Sequence, residues 1–146
     1  LDVDVTTALR FHPLEILLSM GIKMTAVVLL GPPPAAVLSF EILLNGLAMF
    51  NHSNIYLPPR LDRLLRLAVV TPDMHRVHHS VHPSETDSNF GFNFPWWDRL
   101  LHTYRAQPRD GHTGMVLGLH EFRDQHTLNL ARLLILPFRA PRGPGR

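Results

Sequence analysis

Ten histidines in 146 residues, with no cysteine, set the chemical question for this chain. Four of them fall in the run Thr71-Pro72-Asp73-Met74-His75-Arg76-Val77-His78-His79-Ser80-Val81-His82-Pro83. Thr71, Pro72 and Asp73 form a helix start: a hydroxyl that can cap, a residue fixed at helical φ, and an acid at the positive end. Pro83 disfavours helix at the residue before it and so marks a stop. Between these signals His75, His78 and His79 stand at i, i+3 and i+4, on one helical face. His82 extends the stripe if the helix lasts that long. Such a face normally carries apolar residues; here it carries imidazole.

Neutral imidazole ligates iron, zinc, copper and nickel, and neighbouring positions on one face aim several nitrogens at a shared volume. Without an ion, clustered histidines in an apolar setting are poorly stabilised, because each added proton repels the last. The spacing therefore favours a metal site over its alternatives, a pH switch or surface histidines with no role. Lack of cysteine removes thiolate metal sites, disulfides and cysteine nucleophiles. The His-Glu-x-x-His pattern of zinc proteases is absent, as are the Glu-x-x-His pairs of carboxylate-bridged di-iron bundles. A site rich in nitrogen and poor in carboxylate remains.

The elements that must position these residues are greasy. Hydrophobic residues make up 45% of the chain and charged residues 18%, the latter below the usual quarter for soluble domains, which points to a membrane or a very buried partner. The length suits one domain, read as residues 1–138, with a disordered basic tail over 139–146. The chain begins at Leu1 with no signal or transit segment before its first apolar run, and is read as the C-terminal piece of a longer protein. A net charge of +2 gives no sign of a nucleic-acid partner. Arginines cluster at Arg60, Arg63 and Arg66 and again at Arg132, Arg139, Arg142 and Arg146, as on cytoplasmic flanks facing anionic lipid.

Two apolar runs, Leu14 to Leu30 and Ala35 to Phe50, flank Gly31-Pro32-Pro33-Pro34, a stop, turn and restart. They predict a helical hairpin over residues 14–50. Each run is about 16 residues, roughly 24 Å of helix, somewhat short of a ~30 Å bilayer core. Thin-membrane spans, a re-entrant hairpin and buried bundle helices all fit that length. Lys23 lies nine residues before Pro32 and Glu41 nine after it, so an antiparallel hairpin sets them at one depth, where pairing would spare each the cost of a lone charge. Further on, Arg60 to Val70 reads as an amphipathic helix with Leu61, Leu64, Leu65 and Ala68 on one face, suited to a membrane surface or a core. Trp96 to Tyr104 returns to helix spacing, with Trp97, Leu100, Leu101 and Tyr104 on one side. A last apolar run covers Leu128 to Phe138.

Leu9-Arg10-Phe11-His12-Pro13-Leu14-Glu15, Phe50-Asn51-His52-Ser53-Asn54 and His75-Arg76-Val77-His78-His79-Ser80 together resemble the fatty acid hydroxylase and sterol desaturase superfamily, bacterial branch. So do Asn89-Phe90-Gly91-Phe92-Asn93 and Trp97-Asp98-Arg99-Leu100-Leu101, and the likeness runs to about residue 105. The resemblance implies an all-α fold: an integral-membrane helical hairpin under a histidine-rich cytoplasmic cap over residues 51–105. It implies two non-haem iron ions, with zinc as a possible substitute. The partners it implies are O₂, a lipid substrate and an external electron donor, and the reaction is hydroxylation or desaturation of a fatty acid, sterol or related lipid. Carried onto this sequence, the metal ligands are His75, His78, His79 and His52, with His12 from a histidine found in part of the family. His82 and Asp98 are expected to support them, Asp98 by orienting an imidazole through its far nitrogen, the other reading of Asp98 being a salt bridge on a helix surface. The family's earlier His-x(3)-His and His-x-x-His-His boxes are not in these residues, so this piece alone is expected to be inactive. His102 stands where the family usually has a small residue, and His112, His120 and His126 read as ordinary polar residues. The alternative is a non-catalytic membrane protein with a zinc-binding or pH-sensing histidine cluster; a third reading is a soluble all-helical binding module.

Overall fold

A proline occupies the first position of each of the first five helices, where its missing N–H costs nothing and its fixed φ is already helical. The computed structural model describes residues 3–9, 11–118, 130–135 and 138. After a short 3-10 segment, Val5–Leu9, come α1 (Pro13–Leu30) and α2 (Pro34–Asn51). Gly31 ends α1 at φ +59°, with its N–H on the Val27 carbonyl at 3.0 Å; this left-handed cap favours glycine. Each helix has 18 residues, about 27 Å of rise, and both are long and apolar enough to cross a membrane. No residue of α1 is buried and only Ala48 and Asn51 of α2 are. Most of the leucines therefore face outward, as in a hairpin whose solvent is hydrocarbon. Lys23 Nζ meets Glu41 Oε1 at 2.7 Å, so the two charges are paired at one depth as the hairpin geometry requires.

Beyond α2 lies a cap of short helices: α3 (Pro59–Leu65), α4 (Pro72–His78), α5 (Pro83–Thr86), α6 (Trp96–Leu100) and α7 (Gly111–Gly114). A further helix, α8, spans Leu130–Ile135. The described residues contain no strand, and the one isolated bridge joins Ser80 to Leu117. The cap's buried apolar side chains are few: Val70, Met74, Val77 and Val81, with Ala48 from α2. Around them polar groups are buried in larger number, among them Asp62, Arg66, Thr71, Glu85, Asn89 and Asp98.

Three expectations are corrected here. The histidine helix stops at His78, because the His79 N–H turns to the Arg76 carbonyl and the next residues pair with the 116–118 segment. The predicted helix over residues 60–70 is α3 alone, and it points Leu61 and Leu64 outward while Asp62 and Arg66 turn in. Arg66 is thus no lipid-facing cation: it bridges Asp62 at 2.7 Å and donates to the Ala106 carbonyl. Likewise α6 ends at Leu100, exposing Trp97 and Leu100 and burying Asp98. The tail over 139–146 and the side chain of Arg132 lie outside the described residues.

Candidate metal centre

His52 follows the last residue of α2, His75 lies one turn into α4, and His79 caps its C-terminus. Their three Nε2 atoms form a near-equilateral triangle: His75 to His52 3.2 Å, His79 to His75 3.2 Å, His79 to His52 3.3 Å. His52 and His75 are buried and His79 is partly so. His52 Nδ1 stands 2.8 Å from the Ala48 carbonyl oxygen, which can only accept; the proton is therefore on Nδ1, and Nε2 turns its lone pair into the triangle. A shared proton could satisfy one edge of such a triangle, whereas a cation satisfies all three corners. Nitrogens each about 2.1 Å from one ion stand about 3.0 to 3.4 Å apart, from octahedral to tetrahedral angles. The observed spacing falls inside that range, so the donor set fits a single transition-metal ion.

The electrostatics agree. Burial holds the His75 imidazole well below its ordinary pKa, with His79, His52 and His78 adding to the drop. Burial, then His78 and His52, lower His79 to about 4. His52 is also lowered by burial, the Ala48 carbonyl opposing this and His78 reinforcing it. All three are thus neutral at physiological pH, the state in which imidazole donates to a metal.

Local structure explains the placement. The Thr71 hydroxyl accepts the Met74 N–H at 3.4 Å and donates to Asp62 Oδ1 at 2.6 Å, so α3 fixes the start of α4. Met74 and Val77, both fully buried, anchor the opposite side of α4. The Gly118 N–H bonds the His79 carbonyl and the Val81 N–H bonds that of Val116, pinning the chain where His79 leaves the helix. Asn51 Nδ2 donates to the Phe92 carbonyl, tying the end of α2 to the cap loop. Beside this junction, a cleft of about 400 Å³ opens between α1 and α2, with Phe11, Ile16, Met20, Leu44, Ala48 and Phe92 on its walls and Ser19, Lys23 and Asn45 as polar rungs.

Comparison with known proteins fixes the family. Residues 2–103 match the fatty acid hydroxylase family. This chain belongs to it. Ornithine lipid hydroxylase OlsE of Rhizobium tropici is 31% identical over 104 residues, which is 71% of this chain and 30% of that protein. Alkylglycerol monooxygenase of Caenorhabditis elegans is 41% identical over 46 residues, 32% of this chain and 9% of that protein. The chain thus spans less than a third of either relative's length. No solved structure matches it significantly.

Within this fatty acid hydroxylase domain the remaining candidates place no ring nitrogen in the triangle. His78 shares the stripe, but its Nδ1 bonds the Ser88 carbonyl at 3.0 Å, and its ring packs against His75, His79 and Phe90. His12 is not drawn in: Nδ1 accepts the Leu14 N–H as the cap of α1, and Nε2 donates to the Leu134 carbonyl, so both nitrogens are committed. His82 has left the helix and bonds Asp110 Oδ2 at 3.0 Å. Asp98 orients no imidazole. Its carboxylate accepts the Phe90 N–H at 2.7 Å, the Gly91 N–H at 2.8 Å and the Thr103 hydroxyl at 2.7 Å. It orders the loop whose Ser88 and Phe90 hold His78, and so acts at one remove. Gly91 permits this closeness, since a Cβ there would lie 2.6 Å from the Phe94 oxygen and 2.7 Å from Asp98 Oδ2.

Asn89 has no role that its sequence pattern announces, yet it joins three segments. At φ +49° its Nδ2 donates to the Met74 and Arg105 carbonyls and its Oδ1 accepts the Arg105 N–H. Tolerance of left-handed backbone by asparagine, between Ser88 and a near glycine, was the available signal. His102 has φ +60°, a left-handed backbone that favours glycine. His112 has both ring nitrogens shielded from solvent; burial lowers its pKa, Asp73 opposing and Arg76 and Arg66 adding to the fall. His120 and His126 lie outside the described residues.

Proposed function

We propose that this chain is part of a membrane lipid hydroxylase in which His52, His75 and His79 hold a non-haem iron ion. The single observation that supports this reading is the closed triangle of neutral Nε2 atoms directly above an apolar hairpin. Bound there, iron would supply O₂ activation: one oxygen atom enters a lipid C–H bond as hydroxyl, and the other leaves as water. Two electrons and two protons come from an external donor. The residues of this chain do the rest. Ala48 holds His52 in the donating tautomer, Ser88 and Phe90 fix His78, and burial keeps the ligands unprotonated. His78 is the candidate donor toward the second ion of the pair, with further ligands drawn from the rest of a longer protein. The cleft between α1 and α2 would admit a lipid from the bilayer, its volume lying in the usual ~300–1,000 Å³ range of small-molecule sites. The cap is assigned to the cytoplasmic side, on the strength of the exposed Arg60 and Arg63 just past α2.

Metal analysis of the longer protein in detergent, with a His79→Ala control, tests the centre. Iron in the wild type that falls by about 100-fold or more in affinity on this change is the expected result, since loss of even an outer partner costs ~10–100-fold. Undiminished iron in the variant would remove the triangle from the metal site. Zinc with no iron, and no O₂ consumption, would favour the non-catalytic zinc protein instead.

A further inference from the structure

The cap carries an apolar surface that its core does not use. On α3 and the turn after it, Leu61, Leu64 and Leu67 are 43%, 63% and 61% exposed; on the neighbouring segment Phe94, Trp96, Trp97, Leu100 and Leu101 are likewise exposed. The two stretches are joined into one surface. Trp96 Nε1 donates to the Leu67 carbonyl at 2.6 Å, Arg99 donates to the Arg66 carbonyl at 3.2 Å, and the Phe94 ring stacks on Trp96 with centroids 4.9 Å apart. This surface continues from the hairpin. Phe92, two residues before Phe94, lines the interhelical cleft, and its carbonyl holds Asn51 at the end of α2. Arg60 and Arg63, both exposed, stand on α3 beside the leucines.

We propose that this surface is a membrane foot: α3 and the 94–101 segment rest in the headgroup layer of the bilayer that the hairpin enters. Its tryptophans lie at the water–lipid boundary, and Arg60 and Arg63 contact anionic lipid phosphates. Aromatic rings beside arginines suit that boundary better than either water or hydrocarbon, and a patch of this extent is unusual on a free soluble surface. A second protein seated on the patch would need neither the continuity with the hairpin nor the flanking cations. The foot would fix the height of the histidine triangle above the bilayer, independently of which metal it holds.

Trp96 and Trp97 are the only tryptophans of these 146 residues, so tryptophan emission, excited to the red of tyrosine absorption, reports this surface alone. The 146-residue chain, reconstituted into liposomes, is measured with bromines near the headgroup end of the lipid chains or near their methyl ends. The expected result is quenching about twofold or more stronger with the shallow bromines, the signature of an interfacial ring. Quenching by aqueous iodide with none by either lipid would overturn the proposal, as would stronger quenching from the deep bromines. A Trp97→Phe variant assigns the signal to each ring. Adding anionic lipid should strengthen the shallow quenching, and Arg60→Gln with Arg63→Gln should abolish that increment while leaving helicity unchanged. An increment that survives both changes would remove the arginines from the contact.

Discussion

In the hairpin, leucines such as Leu17, Leu29 and Leu43 are 68%, 77% and 61% exposed, while in the cap Glu85, Asn89 and Asp98 are 0–1% exposed. The two regions invert each other because their surroundings do. Against hydrocarbon an outward leucine loses nothing, so α1 and α2 need little packing, and a polar contact that joins the two helices is the Lys23–Glu41 ion pair. The cap has too few buried apolar side chains to rest on them alone. It is ordered by buried polar groups, each of which must find partners or cost free energy. Asn89 and Asp98 meet that demand by binding main-chain groups of distant segments, and the same bonds hold the loop against His78. Positioning of the histidine triangle is thus a property of the cap's polar network, while the hairpin supplies His52.

Breaking that network should have the largest effect. Asp98→Ala leaves the Phe90 and Gly91 N–H groups and the Thr103 hydroxyl without their acceptor, and should destabilise the cap by about 3–5 kcal/mol. Denaturant unfolding in detergent, followed by near-UV dichroism, measures it; a loss below about 1 kcal/mol would mean the hairpin, not the network, orders the cap. Next is the hairpin's own polar contact. Glu41→Ala leaves Lys23 alone and should cost insertion about 2.5–3.5 kcal/mol, read as the inserted fraction in a translocation assay. Adding Lys23→Met should restore it. A double variant no better than the single one would show that the pair carries no energy. The smallest effect is expected from Leu43→Ala on the lipid side, about 0.5 kcal/mol or less in unfolding. A cost as large as that of a buried leucine, about 2–5 kcal/mol, would reveal a protein surface where lipid is assigned.

Much of this was legible in the residues. Proline and threonine starts, the Gly31 stop and the placement of Lys23 and Glu41 follow from contacts within a turn or across one hairpin, which local chemistry encodes. The i, i+3, i+4 histidines were placed on one face for the same reason. The positions of His82 and Asp98 are not legible locally, because they depend on where the helix ends and on which distant groups need an acceptor. The outward leucines of α3 were equally beyond local reading, since periodicity shows that a helix has two faces without saying which one the protein keeps.

By itself, then, the sequence determined the helices, the hairpin and the donor type, because propensity, capping and side-chain chemistry act over a few residues. Only the tertiary structure decided that His52 closes a triangle with His75 and His79, 23 and 27 positions away, while His12 and His82 turn elsewhere. Convergence over such separations rests on the chain path between helices. Here that path is set by buried hydrogen bonds that Asn51 and Asn89 make with main-chain groups and that Asp98 accepts from two main-chain N–H groups and the Thr103 hydroxyl, partners that no side-chain pattern announces.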